Sequence, residues 1–183
     1  VHGIALGTVV LALPWIFIVT LLGAAGYQLG RWRLALAVML MAMFCAVTGL
    51  WDITMITVYL VSISSVIAAL IGIPLGIWGA RSDRVHRILG VIVDILQTIP
   101  AFCYLIPAVW LLRVGDVAGM LGIVLYAVAP AIRYTDHGLR LVSPYLIEAG
   151  RDSGCTRLQL LWQIQLPLAL PEIILGINQV VFL

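Results

Sequence analysis

Long apolar runs place the tightest limit on what this chain can fold into. Residues 34–50, for example, carry no charged side chain and are apolar on all sides. An α-helix rising about 1.5 Å per residue needs about 20 such residues to cross the ~30 Å hydrocarbon core of a bilayer, whereas a transmembrane barrel would show short alternating strands. The sequence therefore predicts an all-α, polytopic transmembrane helical bundle. We place its spans at about 4–22, 34–50, 53–79, 88–112, 117–135 and from about 166 onward.

A low charge content excludes a water-soluble domain. The chain is 63% hydrophobic and 10% charged, whereas soluble domains carry about 25% charged residues. Its net charge of +2 gives no reason to expect a nucleic-acid partner, and its three cysteines lie too far apart to form a metal site or a disulfide framework. Because the sequence starts at Val1 and stops at Leu183 inside an apolar run, we expect it to be a fragment that lacks its C-terminal spans.

Arginine is concentrated in alternate loops, which predicts the orientation of the chain in the membrane. The ten basic residues are all Arg, and nine of them follow the first, third and fifth spans. Short loops rich in Arg stay in the cytoplasm. We therefore expect loops 23–33, 80–87 and 136–165 to be cytoplasmic.

The segment between the fifth and sixth spans is polar enough to fold outside the bilayer, and its turn signals predict a helical hairpin. Ser143 can cap a first helix that begins at Pro144, where the missing N–H of proline costs nothing. Gly154 ends this helix, and Thr156 with Gln159 forms a capping box that starts a second one. We expect the second helix to end before the next proline along the chain.

The same segment resembles a known motif. Its residues follow the EAA motif of bacterial ATP-driven (ABC-type) importer permeases, usually written E-A-A, three residues, G, nine residues and I-x-L-P. Every spacing matches, and the one departure is a glycine in place of the second alanine. The matching residues are Glu148, Ala149, Gly150, Gly154, Ile164, Leu166 and Pro167.

The resemblance implies that this loop couples the chain to an ATPase. In such permeases the first helix of the hairpin docks onto a cytoplasmic ATPase subunit, which places Glu148, Ala149 and Gly154 at the contact. It also implies N-terminal transmembrane helices at 1–50 and an incomplete permease domain at 51–183, with its coupling loop at 136–165. The chain has no GxxxxGK sequence followed by Ser or Thr, so we expect no catalytic residue and no cofactor, with ATP bound by the partner.

The fourth predicted span is unusually polar for its depth. A carboxylate inside the bilayer costs about 2.5–3.5 kcal/mol even on a lenient scale, so such groups usually face a cavity or a partner. Three of the polar residues can share one helical face, and the proline after them frees a backbone carbonyl. Whether these groups line a translocation path or tie helices together stays open. The candidates for either role, with one more from the sixth span, are Asp94, Gln97, Thr98, Pro100, Tyr104 and Glu172.

The polar stretch, together with residues 130–135, is similar to the permeases of glycine betaine, proline and choline importers. The similarity covers roughly residues 55–183, and its best-matching residues are Asp94, Gln97, Thr98, Pro100, Tyr104, Pro107, Pro130 and Arg133. It implies a small osmolyte as the solute and a place in the prokaryotic inner membrane. The implied partners are ATPase subunits, an external solute-binding protein, a second permease copy and membrane lipid.

Other functions stay open at this stage. A permease for another small solute, such as an amino acid, would share the EAA-like pattern. A secondary transporter driven by an ion gradient would use Asp94 and Glu172 as coupling carboxylates, but it leaves the hairpin unexplained. A membrane enzyme or assembly factor has little support, because no loop holds clustered His, Cys or paired acids.

Two smaller patterns concern helix packing. The glycines within residues 72–79 predict that another helix approaches the third span closely. Arg133, Asp136 and Arg140 are spaced to form a local row of ion pairs at the membrane edge. We expect His86 to lie at the surface.

Overall fold

The computed structural model describes residues 15–182, which form helices and no strand. The all-α prediction is confirmed for these residues. The chain makes two compact units, one up to Leu60 and the other from Val61. In chain order the helices are α1 (Trp15–Val47), α2 (Trp51–Arg81), α3 (Asp83–Thr98), α4 (Phe102–Leu112), α5 (Asp116–Arg140), α6 (Pro144–Asp152), α7 (Arg157–Leu160) and α8 (Leu166–Phe182), with a π-helical turn at Leu161–Gln165 between the last two.

The N-terminal helix differs from its prediction. Most of the predicted span 4–22 lies outside the described residues, but the predicted loop 23–33 falls within α1 and is helical. That loop prediction is wrong because it relied on charge, and Arg is a good helix former. Arg31 nevertheless has a φ of 59°, a local irregularity in this stretch. Gly49, with a φ of 72°, makes the turn into α2.

Helices α2 and α5 approach each other through the glycines of α2, as the sequence predicts. A Cβ added at Gly72 would overlap the Ala131 side chain. One added at Gly76 would lie 2.6 Å from the Thr135 Cβ and 2.8 Å from the Ile132 carbonyl oxygen. Helix α2 thus packs with its glycine face directly against the α5 backbone. The predicted loop 80–87 consists of Ser82 alone, because α2 ends at Arg81 and α3 begins at Asp83.

Helix α5 also packs against α8, again at glycines. A Cβ at Gly138 would lie 2.7 Å from the Glu172 Cβ, and one at Gly176 would lie 2.6 Å from the Tyr134 Cβ. Helix α5 therefore holds the centre of the second unit, and its buried residues include Ala129 at 0% exposure.

The predicted span 88–112 is not one helix. It divides into α3 and α4, whose axes differ by 88°. Pro100 explains the break, because the residue before a proline is driven out of the helical region. Ile99 accordingly has an extended backbone, with φ −78° and ψ 128°.

The predicted count of six spans is not confirmed by the described residues. Among the described residues, three helical stretches are long and apolar enough to cross a membrane, namely Trp51–Arg81, Asp116–Arg140 and Arg157–Phe182. The bent pair α3 and α4 raises this to four if it is counted as one span. Large apolar side chains cover much of their surface, as expected of helices that face lipid or a partner.

Candidate functional site

A helical hairpin, formed by residues 144–160, follows α5. Its first helix starts at Pro144 as predicted, although the Ser143 side chain makes no capping hydrogen bond, so that part of the prediction is wrong. The turn after it is closed by two backbone hydrogen bonds. The Gly154 N–H donates to the Arg151 carbonyl at 2.9 Å, and the Cys155 N–H donates to the Gly150 carbonyl at 3.1 Å. This is the Schellman pattern, and Gly154 has the left-handed φ of 82° that the pattern needs.

The second helix of the hairpin is held by the predicted capping box. The Thr156 N–H donates to Gln159 Oε1 at 2.8 Å. In return the Gln159 N–H donates to Thr156 Oγ1 at 3.4 Å. These bonds satisfy amide groups that the start of a helix leaves without partners.

The motif residues of the hairpin divide into an exposed set and a packed set. Glu148 and Ala149 are exposed, whereas Gly150 beside them is buried. A Cβ at Gly150 would lie 2.6 Å from Ile164 Cδ1. Gly150, the one departure from the motif, therefore packs against Ile164, the isoleucine of the motif. The contact fastens the first helix of the hairpin to the π-helical turn.

The second helix of the hairpin does not end before Pro167, contrary to the prediction. It passes through the π-helical turn and runs on into α8, where Leu166 donates its N–H to the Leu161 carbonyl, five residues back. A proline in a helix removes a hydrogen bond and clashes with the carbonyl four residues before it. The wider π turn just ahead of Pro167 gives that carbonyl room, and such turns often occur at functional sites.

The polar residues of α3 meet α5 rather than one another. Asp94 forms an ion pair with Arg133. The sequence had instead predicted that Arg133 joins a row with Asp136 and Arg140. The side chains of Asp94 and Arg133 both remain substantially exposed. Gln97, one turn further along α3, lines a cavity of about 430 Å³ with Arg133 and Gln179.

The bend between α3 and α4 has its own hydrogen bond. Pro100 cannot donate to the carbonyl of Leu96, four residues before it. The Tyr104 hydroxyl donates to this carbonyl at 3.0 Å instead, which confirms that the proline frees a carbonyl. Thr98 turns its hydroxyl back to the Ile95 carbonyl at 3.1 Å, within its own helix.

Glu172 lies at the base of the hairpin. It is half-buried and lines a cavity of about 230 Å³ with Ser143 and Leu146. Within the described part of the chain its carboxylate has no ion pair with an arginine.

One polar cluster was predicted from the sequence only in part. Asp136 is buried and accepts hydrogen bonds from His86 Nδ1 at 2.6 Å and Arg140 Nε at 3.2 Å. Arg140 also donates to Asp83 Oδ1 at 2.9 Å and to the Gly79 carbonyl at 3.0 Å. The predicted pair of Asp136 and Arg140 is therefore present. His86 joins it from 50 residues away, a contact for which the sequence holds no signal.

Residues 72–181 match the sequence profile of a protein family described as the binding-protein-dependent transport system inner membrane component. The match takes in the glycine face of α2, the bent pair, α5, the hairpin and most of α8. The chain belongs to this family. It is accordingly a transport permease component of the inner membrane.

The chain matches only part of the length of its curated relatives in this permease family. The chain is 40% identical to the trimethylamine N-oxide transport system permease protein TmoV of Ruegeria pomeroyi, over 93% of the chain and 26% of the relative. It is 36% identical to the glycine betaine transport system permease protein OpuAB of Bacillus subtilis, over 93% and 61%. It is 43% identical to the glycine betaine/proline betaine transport system permease protein ProW of Escherichia coli, over 74% and 38%. The chain thus spans between about a quarter and about three-fifths of these relatives.

Proposed function

We propose that this chain is the membrane-spanning part of an ATP-driven importer that moves a small osmolyte by alternating access. A separate cytoplasmic ATPase binds and hydrolyses ATP, and an external binding protein delivers the solute. The permease works as a pair of copies. Closure of the ATPase subunits moves the two hairpins, and the motion opens the path through the helices that continue from them.

The hairpin carries this proposal. A segment that transmits motion must be stiff and must be joined firmly to the helix that it moves. The Schellman turn at Gly154 and the capping box at Thr156 fix the hairpin internally. The packing of Gly150 on Ile164 and the unbroken helix from Arg157 to Phe182 join it to α8.

The exposed face of the hairpin is suited to a protein partner. Glu148 and Ala149 are exposed, as is the aromatic side chain of Tyr145 at 82%. Trp162, beyond the second helix, is 64% exposed. Tyr and Trp side chains are enriched at the centres of protein interfaces, where a few residues supply most of the binding energy.

The proposed solutes are zwitterions with a fully substituted nitrogen. The relatives named for glycine betaine, proline betaine and trimethylamine N-oxide support this class. All three compounds join a positive nitrogen and an anionic oxygen in one small molecule. Choline, which the sequence resemblance also suggests, has the nitrogen but lacks the anionic oxygen.

The proposal is tested by uptake of radiolabelled glycine betaine into proteoliposomes that hold the full-length permease, its ATPase and its binding protein. We expect ATP-dependent uptake in the wild type and its loss in Glu148→Lys and Gly154→Trp, with the ATPase no longer co-purifying. Asp52→Lys is the matched control, since it makes the same charge change at an exposed residue that is not part of the hairpin. Uptake that survives both hairpin changes would contradict the proposal.

A secondary transporter driven by an ion gradient has less support. Its first candidate carboxylate, Asp94, already has a partner in Arg133 and is therefore not a free carboxylate. The same proteoliposomes separate the two mechanisms. Uptake driven by a proton or sodium gradient without ATP would favour the ion-driven transporter.

A further inference from the structure

The ion pair between Asp94 and Arg133 lies inside its two helices rather than at their ends, and it is exposed. Arg133 stands seven residues before the end of α5 at Arg140, a distance of about 10 Å along the helix. Asp94 lies eleven residues after the start of α3 at Asp83, about 16 Å along its axis. Yet the two side chains are 48% and 68% exposed.

Charged side chains of membrane-spanning helices are not stable against lipid. They face a water-filled space or a polar partner, because hydrocarbon strongly disfavours them. Such a space lies on the Arg133 side of the pair. A cavity of about 430 Å³ is lined only by residues that carry polar groups, namely Arg133, Gln97, Tyr134 and Gln179, with His86, Asp136 and His137.

We propose that this ion pair is a binding site in the permease for a zwitterionic solute with a quaternary ammonium group. The proposal rests on the function proposed above and names the residues that select its solute. Asp94 attracts the ammonium group, and Arg133 binds the anionic oxygen with the N–H groups that its pair with Asp94 leaves free. Gln97 and Gln179 offer amide donors beside it.

Tyr134 adds a contact for the methyl groups of the ammonium. Its ring starts against Gly176, where a Cβ would lie only 3.2 Å from Tyr134 Cγ, so α8 fixes the side chain at the cavity. A quaternary ammonium is attracted to the face of an aromatic ring by cation–π interaction. Tyr134 is only part of such a site, which suits a transport path that must release its solute.

The pair of opposite charges explains a preference for zwitterions. A zwitterion matches both charges and leaves the site neutral, whereas choline gains from Asp94 but is repelled by Arg133. Removing one charge should therefore change the order of preference, because the remaining charge no longer has its counterpart. A purely structural ion pair predicts no such change, since loss of structure weakens every solute alike.

The test measures equilibrium binding of glycine betaine and choline to the permease–ATPase complex without its binding protein, in phosphatidylglycerol nanodiscs, by saturation-transfer NMR. Phosphatidylglycerol has no quaternary ammonium group, so its headgroup does not compete. We expect the wild type to bind glycine betaine at least about tenfold more tightly than choline. Arg133→Gln should reverse the order, and Asp94→Asn should weaken choline further. Arg133→Lys should keep the wild-type order.

Asp83→Asn is the matched control, because it neutralises another exposed aspartate that is paired with an arginine, Arg140. It should bind both solutes as the wild type does. An unchanged ratio of the two affinities in assembled Arg133→Gln and Asp94→Asn overturns the proposal, as does an equal loss for both solutes accompanied by dissociation of the two permease copies. In the proteoliposome assay described above, a wild-type system with its binding protein that takes up no solute with ATP contradicts the proposed function instead, so the two failures are distinguishable.

Discussion

Replacing Gly154 separates the conformation of the hairpin turn from its contact with a partner. The residue has a φ of 82°, and an added Cβ would meet no atom within 4 Å. Alanine therefore costs only the strain of a left-handed backbone, about 1–2 kcal/mol. That corresponds to about a five- to thirtyfold rise in the population of the opened turn.

Hydrogen exchange of the permease in nanodiscs measures this opening. The reporting amides are those of residue 154 and Cys155, which donate to Arg151 and Gly150 in the closed turn. We expect Gly154→Ala to speed their exchange by about five- to thirtyfold. Gly154→Asn should speed it less, because asparagine tolerates the left-handed region.

Gly115→Ala is the matched control for Gly154→Ala. Gly115 also has open space around its Cβ position, but its φ of 169° is extended and suits any residue. Its replacement should leave exchange at Cys155 unchanged. The reasoning fails if alanine at 154 has no effect, or if asparagine there is as damaging as alanine.

Two further changes test the packing and the capping of this unit. Gly76→Val should lower the free energy of unfolding by about 1–3 kcal/mol, because the side chain would press on the Ile132 carbonyl of α5. A denaturant titration in detergent micelles measures the loss. An unchanged midpoint would show that α2 and α5 do not meet at this glycine. Thr156→Ala should cost about 1 kcal/mol by removing the capping box, seen as faster exchange of the Gln159 amide, whereas Thr156→Ser should keep it. Equal exchange in alanine and serine variants would argue against the box.

Local chemistry made the hairpin predictable from sequence. Pro144 at a helix start, Gly154 at a helix end and the pair Thr156 and Gln159 each act within a few residues of themselves, so no knowledge of the rest of the fold is needed. The glycine face of α2 was readable for a similar reason, since its spacing alone marks a surface for close approach.

Contacts between distant residues were not predictable. Arg133 has two acidic residues within reach in principle, and only the fold shows that it pairs with Asp94, 39 residues away, rather than with Asp136. The bend at Pro100 was also not predicted. The sequence stays apolar on both sides of it, and hydropathy does not report the direction of a helix axis. The prediction of a loop at 23–33 was wrong for a different reason, because charged residues interrupt an apolar run without ending a helix.

Because the hairpin continues through the π-helical turn into α8, the number of residues in the motif determines the orientation of the hairpin. Each residue of a helix advances its direction by about 100°, so one residue more or fewer between Gly154 and Ile164 would rotate the hairpin about the axis of α8. Glu148 would then point to a different side of the membrane protein although every local bond in the hairpin stayed intact. The nine residues between that glycine and that isoleucine therefore set the rotational position of the hairpin about the axis of α8, and with it the direction of Glu148.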